Sequence, residues 1–133
     1  MQNLTTIQNI LTDHLSKYDE IQLVFLFGST ASEHHSKESD IDIAILFQIE
    51  PDFYYLDDIK DSLSKLIKKQ IDIVILNNAS PIIKMQILKN GIPLIRRGRS
   101  YEEFFTRTVA EYVDLKIVRK EIEDHILKGR QYA

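Results

Sequence analysis

Apolar positions along the chain recur with two different periods, and the switches between them outline the fold. Leu4, Ile7, Leu11, Leu15 and Tyr18 fall at helical spacing, which predicts an amphipathic helix over residues 4–18. The runs IQLVFLF (21–27) and IDIAILF (41–47) are short, β-branched and aromatic, so both read as buried strands. Leu56, Ile59, Leu63, Leu66 and Ile67 return to helical spacing after Pro51, predicting a crossover helix over about residues 53–69. IDIVIL (71–76) is a third strand. Ser80-Pro81 opens and Asn90-Gly91 closes a helix over 81–90. IPLIR (92–96) reads as an edge strand, because Pro93 has no amide to give to a ladder. Ser100 and Glu103 have capping-box spacing and open a final helix expected to end before Gly129.

Strand connections set the topology. The polar link 30–39 suits an antiparallel pair of first and second strands. The strand–helix–strand unit that follows suits a parallel second and third strand with a right-handed crossover. These pairings bring the end of the first strand and the starts of the other two to one sheet edge. The expected class is α/β, in its α+β variant: a small mixed sheet flanked by helices, with residues 1–133 forming a single domain.

That edge collects unusual residues for a place where strands enter a core. Gly28 and Ser29 end the first strand, Asp40 and Asp42 open the second, and Asp72 opens the third. Residues two apart on a strand share a face, so Asp40 and Asp42 project together. Three carboxylates and a hydroxyl form an oxygen-only donor set of the kind magnesium prefers. Two such ions can activate an attacking oxygen and stabilise the leaving one in a displacement at phosphorus.

Composition narrows the alternatives. The net charge of -3 and pI near 5.8 disfavour a nucleic-acid-binding scaffold. Cysteine is absent, which excludes disulfides and thiolate chemistry. Residues 1–20 show no signal-peptide pattern and no apolar run approaches a membrane span, so a cytoplasmic protein is expected. His34 and His35 read as solvated loop residues; Arg96, Arg97 and Arg99 read as the wet end of a strand. The final helix carries Phe104, Phe105, Tyr112, Leu115, Ile122 and Ile126 on one stripe, which Val109, Val113 and Ile117 widen. So broad an apolar girth predicts a second surface that covers it.

Gly28-Ser29, the Asp40-Ile41-Asp42 triplet and Asp72 on a later strand together resemble the nucleotidyltransferase superfamily of DNA polymerase β. The short chain resembles its minimal nucleotidyltransferase group, the antitoxins of HEPN/MNT toxin–antitoxin pairs. The resemblance covers most of the chain and implies the polymerase β-like fold. It also implies that Gly28 and Ser29 hold nucleotide phosphates. Asp40 and Asp42 would bind two magnesium ions, with manganese as a substitute, while Asp72 binds the catalytic ion and orients the nucleophile.

The implied reaction moves AMP, or another nucleoside monophosphate, from a nucleoside triphosphate such as ATP to a hydroxyl. The acceptor is expected to be a tyrosine of a partner HEPN ribonuclease toxin, and pyrophosphate is released. Two other readings stand beside it: an antitoxin that acts by binding alone, and half of a two-chain small-molecule nucleotidyltransferase. After Ser29 the chain reads Thr30, Ala31, Ser32 and Glu33, where many relatives carry an arginine and a glycine in place of the last two.

Overall fold

The computed structural model describes residues 3–28 and 40–131. Its elements are α1 (Leu4–Leu15), β1 (Ile21–Phe27), β2 (Ile41–Phe47), α2 (Phe53–Ile67), β3 (Ile71–Ile75), α3 (Pro81–Asn90), β4 (Ile92–Arg96) and α4 (Ser100–Gln131). A short 3-10 turn, Leu76–Asn78, follows β3. The sheet order is β3-β2-β1-β4. β1 runs antiparallel to both β2 and β4, and β2 runs parallel to β3. The mixed topology expected from the connections is present, with the proline-bearing β4 at an edge.

Helix ends follow local hydrogen-bond chemistry. The Asn3 side chain accepts from the Thr6 amide at 2.8 Å and starts α1. The helix stops at Leu15, three residues earlier than the apolar spacing suggests, because the backbone bonds tighten there, the Lys17 amide donating to the His14 carbonyl and the Tyr18 amide to the Leu15 carbonyl. Tyr18 still packs on the core from that turn. Asp52 caps α2 by accepting from the Tyr55 amide at 2.8 Å, which leaves Pro51 just outside the helix. Lys68 closes α2 in a left-handed conformation, φ 61°. Ser80 caps α3 as expected. Ser100 is not a cap: its hydroxyl donates to the Gln22 carbonyl at 3.1 Å and ties the first turn of α4 to β1. α4 also continues through Gly129 to Gln131.

Two apolar layers cover the two sheet faces. On one, Ile7, Leu11 and Leu15 of α1 and Ile59, Leu63 and Ile67 of α2 bury Val24, Leu26, Ile41, Ile43 and Ile45. On the other, Ile87 of α3 and Phe104 of α4 cover Leu23, Phe25, Ala44 and Leu76. Each fully buried aliphatic side chain contributes about 1.5–3 kcal/mol, so both faces are held firmly. Arg97 fastens the connection into β1, its guanidinium donating to the carbonyls of Tyr18 at 3.0 Å and Ser16 at 2.6 Å.

The 32 residues of α4 make a helix ~48 Å long, about twice the length of the seven-residue strands beside it. Phe104 is buried, whereas Phe105 points outward at 47% exposure, so the two do not share the core stripe. Every side chain described from Lys116 to Leu127 is exposed, including Ile117, Val118, Ile122, Ile126 and Leu127.

Candidate active site

Alternation along β2 decides where its carboxylates go. Ile41, Ile43 and Ile45 pack under α1 and α2, so Asp42 takes the opposite face with Ala44. Asp72 of β3 stands in register beside Asp42, just as Ile41 pairs with Ile71. The Ile41 amide donates to the Gln70 carbonyl at 2.9 Å, which pins the starts of the two strands together. Across the other side of β2, Phe27 of β1 is the partner of Asp42, and Gly28 follows immediately. Asp40 lies one residue before β2 at the same edge and is exposed.

Gly28 adopts φ 70°, a conformation L-residues rarely enter. A Cβ built there would run into the Asp42 carboxylate, with Asp42 Cγ 3.1 Å away. The residue that follows β1 therefore carries no side chain, because the carboxylate occupies that space. Crowding also appears in the protonation equilibrium. Burial pushes the Asp42 carboxyl above its usual range, and the neighbouring charges of Asp72 and Asp40 push in the same direction.

The structure thus brings Asp40, Asp42, Asp72 and Gly28 to one sheet edge. Ser29, with the segment through Ser39 that holds Thr30, Glu33, His34 and His35, lies outside the described residues. Among the described residues no group of three or more His, Cys, Asp or Glu side chains is closed into a ready cage for a metal ion. The aspartates nonetheless suit a hard divalent cation chemically. They offer only oxygen, Asp42 and Asp72 stand in register, and burial with the neighbouring charges makes Asp42 hold its proton more readily than a free carboxyl does. A cation between them would reverse that preference.

The arginines at the end of β4 lie away from the aspartates, because Arg96 pairs with Leu23 whereas Asp42 pairs with Phe27; Arg97 is taken up by backbone carbonyls and Arg96 sits over the Tyr101 ring at 4.5 Å. At the far end of the same sheet face, Lys84, Arg107 and Thr108 line a cavity that the apolar pattern gave no sign of, since they come from two helices distant in sequence.

The family model described as polymerase beta, nucleotidyltransferase matches residues 9–100. The chain is 29% identical over 125 residues to the protein adenylyltransferase MntA of Shewanella oneidensis, covering 94% of this chain and 88% of that one. It is 26% identical over 117 residues to the MntA of Aphanizomenon flos-aquae, covering 80% and 78%. Among solved structures, a toxin–antitoxin complex with AMP-PNP matches with a TM-score of 0.74 and 28% identity, over 95% of this chain and 99% of that one. A tri-AMPylated Shewanella oneidensis HEPN toxin in complex with its MNT antitoxin matches with a TM-score of 0.68 and 26% identity, over 90% and 98%.

Proposed function

The chain belongs to the polymerase beta nucleotidyltransferase family, and from that premise we propose that it is an antitoxin that transfers AMP from ATP to a hydroxyl of a partner HEPN toxin. The observation that carries this reading is the in-register pair Asp42–Asp72, with Asp40 at the same edge and Gly28 against the Asp42 carboxylate. Those positions serve no packing purpose, and their mutual repulsion works against the fold unless positive charge is supplied.

Asp40, Asp42 and Asp72 would hold divalent ions, magnesium or manganese. When bound, the ions neutralise triphosphate charge and make the acceptor oxygen a better nucleophile. The chain's own residues position the reactants. Gly28, without a side chain, leaves its backbone open to the phosphates, and Ser29 adds a hydroxyl donor. Asp72 orients the acceptor hydroxyl, whose oxygen attacks the α-phosphorus. The new P–O bond forms as the bond to the β-phosphate's bridging oxygen breaks, and pyrophosphate departs. The hydroxyl proton goes to the carboxylates of the edge. Residues 1–133 act as one transferase unit in this reading, with a tyrosine of the toxin as acceptor. The reaction draws on cellular ATP and belongs in the cytoplasm. No described helix is long and apolar enough to cross a membrane.

A second reading, neutralisation by binding alone, has one observation in its favour: the exposed apolar side chains on the C-terminal half of α4. Both readings use that surface for the toxin, and covalent modification separates them. Toxin incubated with this chain, ATP and magnesium should gain the mass of one or more adenylyl groups and stay inactive after the antitoxin is removed. Toxin recovered unmodified and fully active would refute the transferase reading and leave the binding one.

A further inference from the structure

The face of the sheet that carries the aspartates also carries, at its opposite end, a cavity of about 430 Å³. Its floor is Leu46, Leu76 and Phe104, and its walls carry Lys84 of α3 with Arg107 and Thr108 of α4. Asp42 and Leu46 are four residues apart on β2, so ~13 Å of strand separates the cavity from the aspartate edge.

The polar groups around this space are under-used. Thr108 is 1% exposed, yet its hydroxyl has no hydrogen-bond partner among the described residues. Buried hydroxyls left unpaired are uncommon, because desolvation without a partner costs about 1–3 kcal/mol. The Lys84 side chain is 13% exposed and makes one ion pair, Nζ to Glu111 Oε2 at 3.3 Å. An ammonium has three donors, so two remain unspent. Arg107 has no ion pair or hydrogen bond from its guanidinium among the described residues. Asn77, by contrast, has both ends of its amide engaged, Oδ1 accepting from the Phe47 amide and Nδ2 donating to the Phe47 carbonyl, each at 2.9 Å. The wall therefore offers unspent donors on Lys84, Arg107 and Thr108, with Glu111 already paired to Lys84 and Glu103 as the carboxylate in the lining.

We propose that this cavity is a second binding site, separate from the nucleotide-transfer edge, for a small organic anion. Its phosphate or carboxylate head accepts from Lys84, Arg107 and Thr108, and its apolar body lies on Leu46, Leu76 and Phe104. The volume lies within the range of small-ligand sites and exceeds what a bare inorganic ion would fill. The proposal stands independently of the transfer reaction.

The test is an amide-resolved NMR titration of the full chain without divalent metal, which keeps the aspartate edge quiet. The probes are phenyl phosphate and phenylacetate, which separate the two head groups, and neutral benzyl alcohol as a control. At least one anion should give saturable shifts at Lys84, Phe104 and Thr108, at least tenfold tighter than benzyl alcohol. Thr108→Val and Lys84→Met should each weaken it at least tenfold. Arg107→Gln changes an exposed side chain and should also weaken it, which keeps the test decisive if either buried variant misfolds. Shifts confined to the Asp42–Asp72 edge, equal affinity for benzyl alcohol, no saturable shift, or full affinity in Arg107→Gln would each overturn the proposal and leave a cavity filled by water.

Discussion

Replacing Gly28 by alanine puts the packing of the aspartate edge to a quantitative test, because Gly98 provides its control. Both glycines have positive φ, 70° and 56°. An L-residue in that region costs about 1–2 kcal/mol, and alanine recovers about 0.4–1 kcal/mol by restricting the unfolded chain. At Gly98 an added Cβ meets nothing within 4 Å, so Gly98→Ala should cost only the difference, on the order of 0.5–1 kcal/mol. At Gly28 the same backbone cost applies, and the Cβ also meets the Asp42 carboxylate, with Asp42 Cγ at 3.1 Å. Overpacking costs about 1–3 kcal/mol, and a short, half-exposed side chain can swing aside, so the extra cost is about 1 kcal/mol. Urea denaturation should therefore place Gly28→Ala about 1 kcal/mol below Gly98→Ala. The swing displaces Asp42, so adenylyl transfer should fall at least tenfold in Gly28→Ala and stay within about twofold in Gly98→Ala. Asp42→Ala deletes the obstructing carboxylate, and in that background the two glycine substitutions should cost nearly the same. Wild-type transfer by Gly28→Ala, or a stability gap that persists without the Asp42 carboxylate, would refute the packing argument.

Three further outcomes follow from the same structure. Magnesium or manganese at millimolar concentration should raise the melting temperature of the wild type by mass action and leave that of Asp40→Asn/Asp42→Asn unchanged; the double variant should fold but transfer no AMP. Because the Asp42 carboxyl is pushed above its usual range, the metal-free protein has a share of stability that is complete below the unfolded carboxyl's titration and lost as pH rises through the folded one. Asp42→Asn should thus be the more stable form at neutral pH, by chemical denaturation without metal, and lose that advantage in acid. Leu11→Ala, at a position with no exposed surface in the α1 layer, should cost about 2–5 kcal/mol, whereas Val113→Glu on the exposed part of α4 should leave stability within about 0.5 kcal/mol and weaken toxin binding in a pull-down.

Much of the fold was legible because each strand is an unbroken apolar run and each helix has a stripe of its own. The antiparallel pairing followed from bringing Gly28-Ser29 beside Asp40 and Asp42 across the polar link, the parallel one from a crossover helix, and β1, β2, α3 and β4 have the expected bounds. The aspartate edge was legible for the same reason: charged residues at the mouths of buried strands have no use in packing. Helix ends were less legible where a backbone or side-chain group chose a different partner. The backbone of Lys17 and Tyr18 tightened into a turn that ends α1 early, and Ser100 gave its hydroxyl to Gln22, 78 residues away, instead of capping α4. Periodicity cannot express such a contact. It also cannot reveal that Thr108 is buried without a partner, since threonine on a helix stripe reads as an ordinary packing residue.

The overhang of α4 bears on how long each molecule lasts in the cell. Helical stability in proteins comes mostly from tertiary packing, and an unsupported end opens at low free-energy cost. From Lys116 to Leu127 every described side chain is exposed, so this stretch should exchange its amide hydrogens early and offer proteases an early entry. A partner laid along it closes that entry and adds its binding free energy to the folded state. Under proteolysis, uncovered chains would be lost faster than covered ones, and the amount of this protein would come to track the amount of whatever shelters its last helix.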